Sequence, residues 1–206
     1  KAIEGYMTQQ NKDINVKIVD SLLYISPILN KTITSGYVYL ATKTPKLYGK
    51  LYDLTNKEHR LANFVTRLNN IFANKLLPLI DDFRPDVIIT THPFPTEMVS
   101  RLKSKGEINI PLICIMTDYA PHKAWISKDI DAYIVSNDDM VGKMVNEGVN
   151  LKNIYSYGIP IDEVFFKEEE KQLVIEELGF DKNLPTILMM AGSFGVNNVF
   201  DVYETI

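Results

Sequence analysis

A doubly wound α/β fold with a mainly parallel sheet is the class the sequence predicts, on three observations. Short runs rich in Val, Ile and Leu recur along the chain, stretches with helical spacing separate them, and glycines close several of those stretches. Strand and helix alternating in this way imply βαβ units with right-handed crossovers.

The elements follow in order. Val16–Val19 is the first strand candidate. Leu61, Phe64, Val65, Leu68, Ile71, Phe72 and Leu76 recur at helical spacing and end near Pro78 and Pro85. A strand is expected from Asp86 to Ile89, then a helix from Thr96 to Lys105 that stops at Gly106. Leu112–Met116 and Ala132–Val135 are strands, and Asn137–Glu147 is a helix closed by Gly148. Ile154–Tyr157 is the last strand of this series, ended by Gly158-Ile159-Pro160-Ile161. Glu168–Leu178 reads as a charged helix closed by Gly179. The pattern then restarts with a strand at Thr186–Met190, the turn Gly192-Ser193-Phe194-Gly195 and a helical run from Val199. A fresh strand, glycine turn and helix is how a second nucleotide-type domain begins. The expected division is therefore a first Rossmann-like domain over residues 1–162, a linker and helix over 163–183, and the start of a second domain over 184–206.

Composition narrows the function classes. With 206 residues, 46% of them apolar and 23% charged, the chain is long enough to bury roughly 70% of its unfolded surface without disulfides. The single cysteine, Cys114, lies in the apolar run Pro111–Met116, which points to a core thiol and a reducing compartment. No apolar run approaches the ~20 residues needed to span a bilayer, and the first residues lack a signal-peptide core, so neither export nor membrane integration is expected. A chain starting at Lys1 and stopping at Ile206 reads as a piece of a longer protein. The net charge of −4 argues against a general nucleic-acid binder. Its distribution is uneven: residues 31–75 hold eight basic and two acidic side chains, a local +6 that leaves −10 for the rest.

Ligands of doubly wound sheets sit beyond the carboxyl ends of the strands. Three such ends carry chemistry: Thr90-Thr91-His92-Pro93-Phe94, Thr117–Trp125 and Ser136-Asn137. Asp118 and His122 share a loop, where a carboxylate could orient an imidazole and raise its basicity; equally, Asp118 could receive loop amides while His122 faces solvent. His92 is either a site residue or a loop-former. Trp125, the one tryptophan, is a core anchor by default or an amphipathic side chain at a wet–dry boundary. His59 is a surface residue, and three separated histidines with one thiol give no zinc spacing, so no metal is expected. Asp129-Ile130-Asp131 precedes a strand, on the wrong edge for a ligand, and reads as a solvated turn. Gly192, Ser193, Phe194 and Gly195 could receive a diphosphate on backbone N–H groups and a helix dipole; a serine-hydrolase elbow fits poorly because no residue separates Gly192 from Ser193. Finally, Tyr37, Tyr39, Tyr48 and Tyr52 interleave with Lys43, Lys46 and Lys50, which suits either a peripheral membrane contact or an amphipathic helix packed on the sheet.

With these pieces in place the chain resembles the diacylglycerol glycosyltransferases, namely the monogalactosyldiacylglycerol synthases and the processive glucosyltransferases of Gram-positive bacteria. The resemblance rests on Lys1-Ala2-Ile3, Thr91-His92-Pro93-Phe94, Thr117-Asp118 with His122 and Trp125, Asp131-Ala132-Tyr133, Tyr157-Gly158-Ile159-Pro160-Ile161 with Phe165, and Gly192-Ser193-Phe194-Gly195. It implies a GT-B architecture, in which residues 1–162 are most of the acceptor domain and 184–206 open the nucleotide-sugar domain. It further implies inverting, metal-independent transfer of a hexose from a UDP-sugar to the 3-hydroxyl of diacylglycerol, with no cofactor, at the cytoplasmic face of the cell membrane.

Carried onto this chain, the resemblance implies catalytic or acceptor-side roles for Asp118, His122 and His92. Acceptor or anionic-membrane contacts fall to Trp125, Thr91, Tyr48, Lys43, Lys46 and Lys50, and donor contacts to Gly192, Ser193, Phe194 and Gly195. The family's glycine-rich loop and its histidine base would lie before Lys1, and most of the sugar-nucleotide domain after Ile206, so the piece by itself is expected to be inactive. The partners implied are UDP-hexose, diacylglycerol and an anionic membrane surface, without nucleic acid. Two other readings stand beside this one: N-acetylglucosamine transfer to an undecaprenyl-linked cell-wall precursor, and a non-catalytic lipid-binding module on the same fold.

Overall fold

A computed structural model describes residues 1–28, 30–31 and 72–189. Its centre is a four-stranded, all-parallel sheet of β1 (Ile88–Thr90), β2 (Leu112–Ile115), β3 (Ala132–Ile134) and β4 (Ile154–Tyr155), in the spatial order β1-β2-β3-β4. Ile89 pairs with Ile113, Cys114 with Tyr133, and Tyr133 with Ile154. Before the sheet come α1 (Ala2–Gln10), α2 (Ser21–Ile25) and α3 (Leu77–Phe83); α4 (Pro93–Ser104) joins β1 to β2, α5 (Asp138–Asn146) joins β3 to β4, and α6 (Lys171–Glu177) follows. This is the predicted Rossmann-like α/β arrangement.

Burial explains the element types. β2 is covered on both faces, so its side chains are apolar without alternation, and Leu112, Cys114 and Met116 are fully enclosed. Helix α4 buries Met98 and Leu102 four residues apart, and α5 buries Met140 and Met144 with the same spacing. These side chains meet Tyr133 and Val135 in one core.

The predicted helix ends are present. Gly106 and Gly148, just past α4 and α5, have φ of 73° and 93°, the left-handed region in which a Cβ would be strained. Pro93 occupies the first turn of α4, where its missing N–H costs nothing.

Three expectations are corrected. Val16–Val19 forms no ladder, because no described strand lies beside it, and Ile18 and Val19 are exposed. Residues 186–189, the described part of the expected Thr186–Met190 strand, form none either: Ile187 and Leu188 are 62% and 79% exposed, and no strand lies beside them among the described residues. The last strand ends at Tyr155, not Tyr157, since Gly158, with φ of 88°, already turns the chain and gives its N–H to Val135 O. The turn at Asp129–Asp131 lies on the expected edge but is more than solvated. Asp129, itself at φ of 53°, accepts from Ser104 Oγ, and Asp131 accepts from Lys103 Nζ and, at 2.6 Å, from the Leu112 N–H.

Candidate functional site

Because β1 and β2 are parallel neighbours, the segments that leave their carboxyl ends emerge side by side. The first carries Thr91 and His92. Beneath them a buried hydroxyl pair fixes the turn into α4: Thr90 Oγ1 lies 2.8 Å from Thr96 Oγ1, which also donates to His92 O at 2.8 Å. His92 is the N-cap of α4, and its Nδ1 accepts from the Phe94 N–H at 3.2 Å.

The second segment runs from Thr117 to Trp125 and ends in a short 3₁₀ turn, Lys123–Trp125. His122 caps that turn just as His92 caps α4, its Nδ1 accepting from the Ala124 N–H at 3.1 Å. Trp125 is 2% exposed and sits in the core, with its Nε1–H donating to Asp118 Oδ2 at 2.7 Å. Its ring centroid lies 6.4 Å from that of His92. His92, Asp118, His122 and Trp125 thus form one cluster at the carboxyl rim of the sheet, and Thr91 stands exposed beside it.

This arrangement differs from the expected carboxylate-oriented imidazole. A ring nitrogen that accepts from the backbone cannot donate to Asp118 at the same time, so the neutral rings of His92 and His122 carry their proton on Nε2. Both are held below the ordinary histidine value by burial, with the nearby Asp118 charge pulling in the opposite direction. Both imidazoles are therefore neutral near pH 7; exposed His92 can donate from Nε2 at the rim, the Nε2 of His122 is enclosed, and beside them stands a carboxylate whose one oxygen is held by an indole.

Trp125 is corrected as well. A ring 2% exposed packs in the core, its default as a residue type, and offers no face to a membrane. Cys114 is equally enclosed, and burial pushes its thiol up to about 11, so it stays unionised. Tyr48, Lys43, Lys46, Lys50 and His59 lie outside the described residues, as do Gly192, Ser193, Phe194 and Gly195. Among the described residues no three His, Cys, Asp or Glu side chains are grouped to hold a metal ion, and no helix is long and apolar enough to cross a membrane. An open depression of about 500 Å³ lies between Arg84 and Glu107 at the amino ends of the strands, away from the histidine cluster.

Sequence reasoning missed the side chains that hold the second segment in place. Glu97 accepts from Ser127 Oγ at 2.7 Å and from Arg101 one turn on, and Tyr133 Oη accepts from the Ser127 N–H at 3.0 Å. The Glu97/Arg101 spacing of four residues was a visible signal; the pairing of Glu97 with Ser127, 30 positions away, was not.

Comparison with known proteins gives a consistent result. The monogalactosyldiacylglycerol (MGDG) synthase family matches residues 1–161. A processive diacylglycerol beta-glucosyltransferase of Staphylococcus carnosus is 40% identical over 129 residues, covering 63% of this chain and 32% of that relative. Proteins of the same description from Staphylococcus haemolyticus and Staphylococcus aureus are 39% and 38% identical, over 62% and 68% of this chain and 32% and 36% of their own lengths. The chain spans about a third of the length of the curated relatives it matches.

Proposed function

Since the chain belongs to the monogalactosyldiacylglycerol synthase family, we propose that the whole protein moves a hexose from a UDP-sugar to the 3-hydroxyl of diacylglycerol, with inversion and without a catalytic metal or cofactor. The observation that carries the reading is the cluster of His92, Asp118 and His122 at the carboxyl rim of adjacent parallel strands. That rim is where a doubly wound sheet receives its ligand.

In this reading residues 1–162 supply the acceptor side. Asp118 accepts a hydrogen bond from the acceptor hydroxyl while neutral His92 donates from Nε2, which orients the oxygen toward the anomeric carbon; His122, whose Nε2 is enclosed, shapes the loop that carries Asp118. As the bond to the sugar forms, the bond from the anomeric carbon to the diphosphate breaks and the hydroxyl proton leaves to a general base. Residues 184–206 open the donor domain, where the N–H groups of Gly192, Ser193, Phe194 and Gly195 stabilise the departing diphosphate. Lys43, Lys46 and Lys50, with Tyr48, hold the protein peripherally against the anionic cytoplasmic face of the membrane, each lysine contributing about 1 kcal/mol.

The experiment is release of UDP by the whole protein. UDP should appear from a UDP-hexose only when diacylglycerol is supplied, and release with polyprenyl diphosphate acceptors alone would replace this reading with transfer to a cell-wall precursor.

A further inference from the structure

The loop between β2 and β3 carries Asp118, His122 and Trp125, and its far half is fastened to α4 at several points. Ser127 Oγ donates to Glu97 Oε2 at 2.7 Å; Ser100 Oγ donates to Lys128 O; Ser104 Oγ donates to Asp129. Residues 97, 100, 101 and 104 share one face of a helix, so α4 meets the loop along a single stripe. Ser127 commits every polar group it has to two side chains. Its hydroxyl goes to Glu97, its N–H donates to Tyr133 Oη at 3.0 Å, and its carbonyl accepts from the Tyr133 hydroxyl at 3.2 Å.

The same helix is capped at its start by His92, while Glu97, one turn further on, grips the loop that bears Asp118 and His122. Of the ties that set the distance between the two halves of the cluster, the one nearest to both passes through this carboxylate. That carboxylate is itself paired with Arg101 through its other oxygen.

We infer that Glu97 is a positioning residue which, through Ser127, sets Asp118 and His122 relative to His92. It touches none of the three, and its role in turnover rests on the transferase reading above. Displacements of the order of 1 Å in such a constellation can cost about a hundredfold in rate, so loss of one anchor among several should cost about tenfold.

The test compares Glu97→Ala, Ser127→Ala, the double variant and Glu97→Gln, which keeps a carbonyl acceptor for Ser127. In the 206-residue chain, whose one tryptophan is Trp125, acrylamide quenching of its emission reads the loop directly. Glu97→Ala and Ser127→Ala should each increase quenching, the double variant no further than either, and Glu97→Gln should stay close to the parent. In the whole protein the two alanine variants should lose about tenfold in kcat with the acceptor KM within about twofold, and Glu97→Gln should recover most of it.

Unchanged quenching in both alanine variants, additive effects in the double variant, or a rise in KM with kcat intact would each overturn the inference. Should Glu97→Ala fail to fold, the milder Ser127→Ala and Glu97→Gln decide it. A parent protein that transfers nothing to diacylglycerol would sink the transferase reading alone, because the quenching comparison still reports whether Glu97 holds the loop.

Discussion

The indole N–H of Trp125 lies 2.7 Å from Asp118 Oδ2, so an enclosed aromatic ring and an exposed carboxylate seven residues earlier are joined by one hydrogen bond. Trp125→Phe keeps much of the ring and removes the donor. It should lower stability by about 1–3 kcal/mol, from the lost bond and the smaller side chain together. Denaturant unfolding of the two forms would check this, and equal midpoints would mean the bond contributes nothing.

The two capping imidazoles give a pH prediction. Burial lowers the values of His92 and His122 from 6.5, while the Asp118 charge opposes that shift. Asp118→Asn should therefore move both titrations further down, as read from the ring C–H signals by NMR. The sign for stability follows: the unfolded chain takes up these protons first, so stability should decline as pH falls through about 6.5 and level off below the folded values. An upward move of either titration would contradict the electrostatic account.

Asp131 sets a second, more acidic window. Burial works to raise it, but the Lys103 hydrogen bond, the Leu112 N–H and the Lys103 charge together hold it below 3.8. A depressed carboxyl contributes stability that is fully present above its unfolded value and is lost as pH falls through its folded one. Asp131→Asn should accordingly be less stable than the parent near neutral pH, with the difference shrinking in strong acid. Urea titrations at several pH values measure it, and a gap that stays constant with pH would rule out the linkage.

Neutralising Lys43, Lys46 and Lys50 to Gln should weaken pelleting of the protein with anionic liposomes. The difference should be greatest at low salt, where the charges are least screened. Pelleting unaffected by the triple change would remove the membrane role from that stretch.

Much of the sheet could be read from the amino acids alone. β2 and the helices beside it were recognisable because a strand covered on both faces has no alternation, and because Gly106 and Gly148 stand where only a left-handed backbone ends a helix. Val16–Val19 and Thr186–Met190 have the same apolar content, but composition does not say whether a neighbouring strand exists, and at these places the described residues supply none. For the candidate site, the expected strand order placed the loops after β1 and β2 side by side, since residues after parallel neighbours must share a rim. Which atoms pair within it was beyond reach. Whether Asp118 holds an imidazole or an indole turns on angstrom-scale packing of Trp125, and whether Ser127 is loop or anchor turns on a contact with a residue 30 positions back.

The sheet's strands lie in space in the sequence in which the chain is made. A nascent polypeptide can then add each unit to a surface already formed behind it, without waiting for a distant segment to return. The histidine-capped helix is complete first, and the loop bearing Asp118 emerges before Tyr133, whose hydroxyl grips the backbone of Ser127. The rim thus lacks its last tie until the third strand has been made, whereas the helix and fourth strand that follow add to a rim already held.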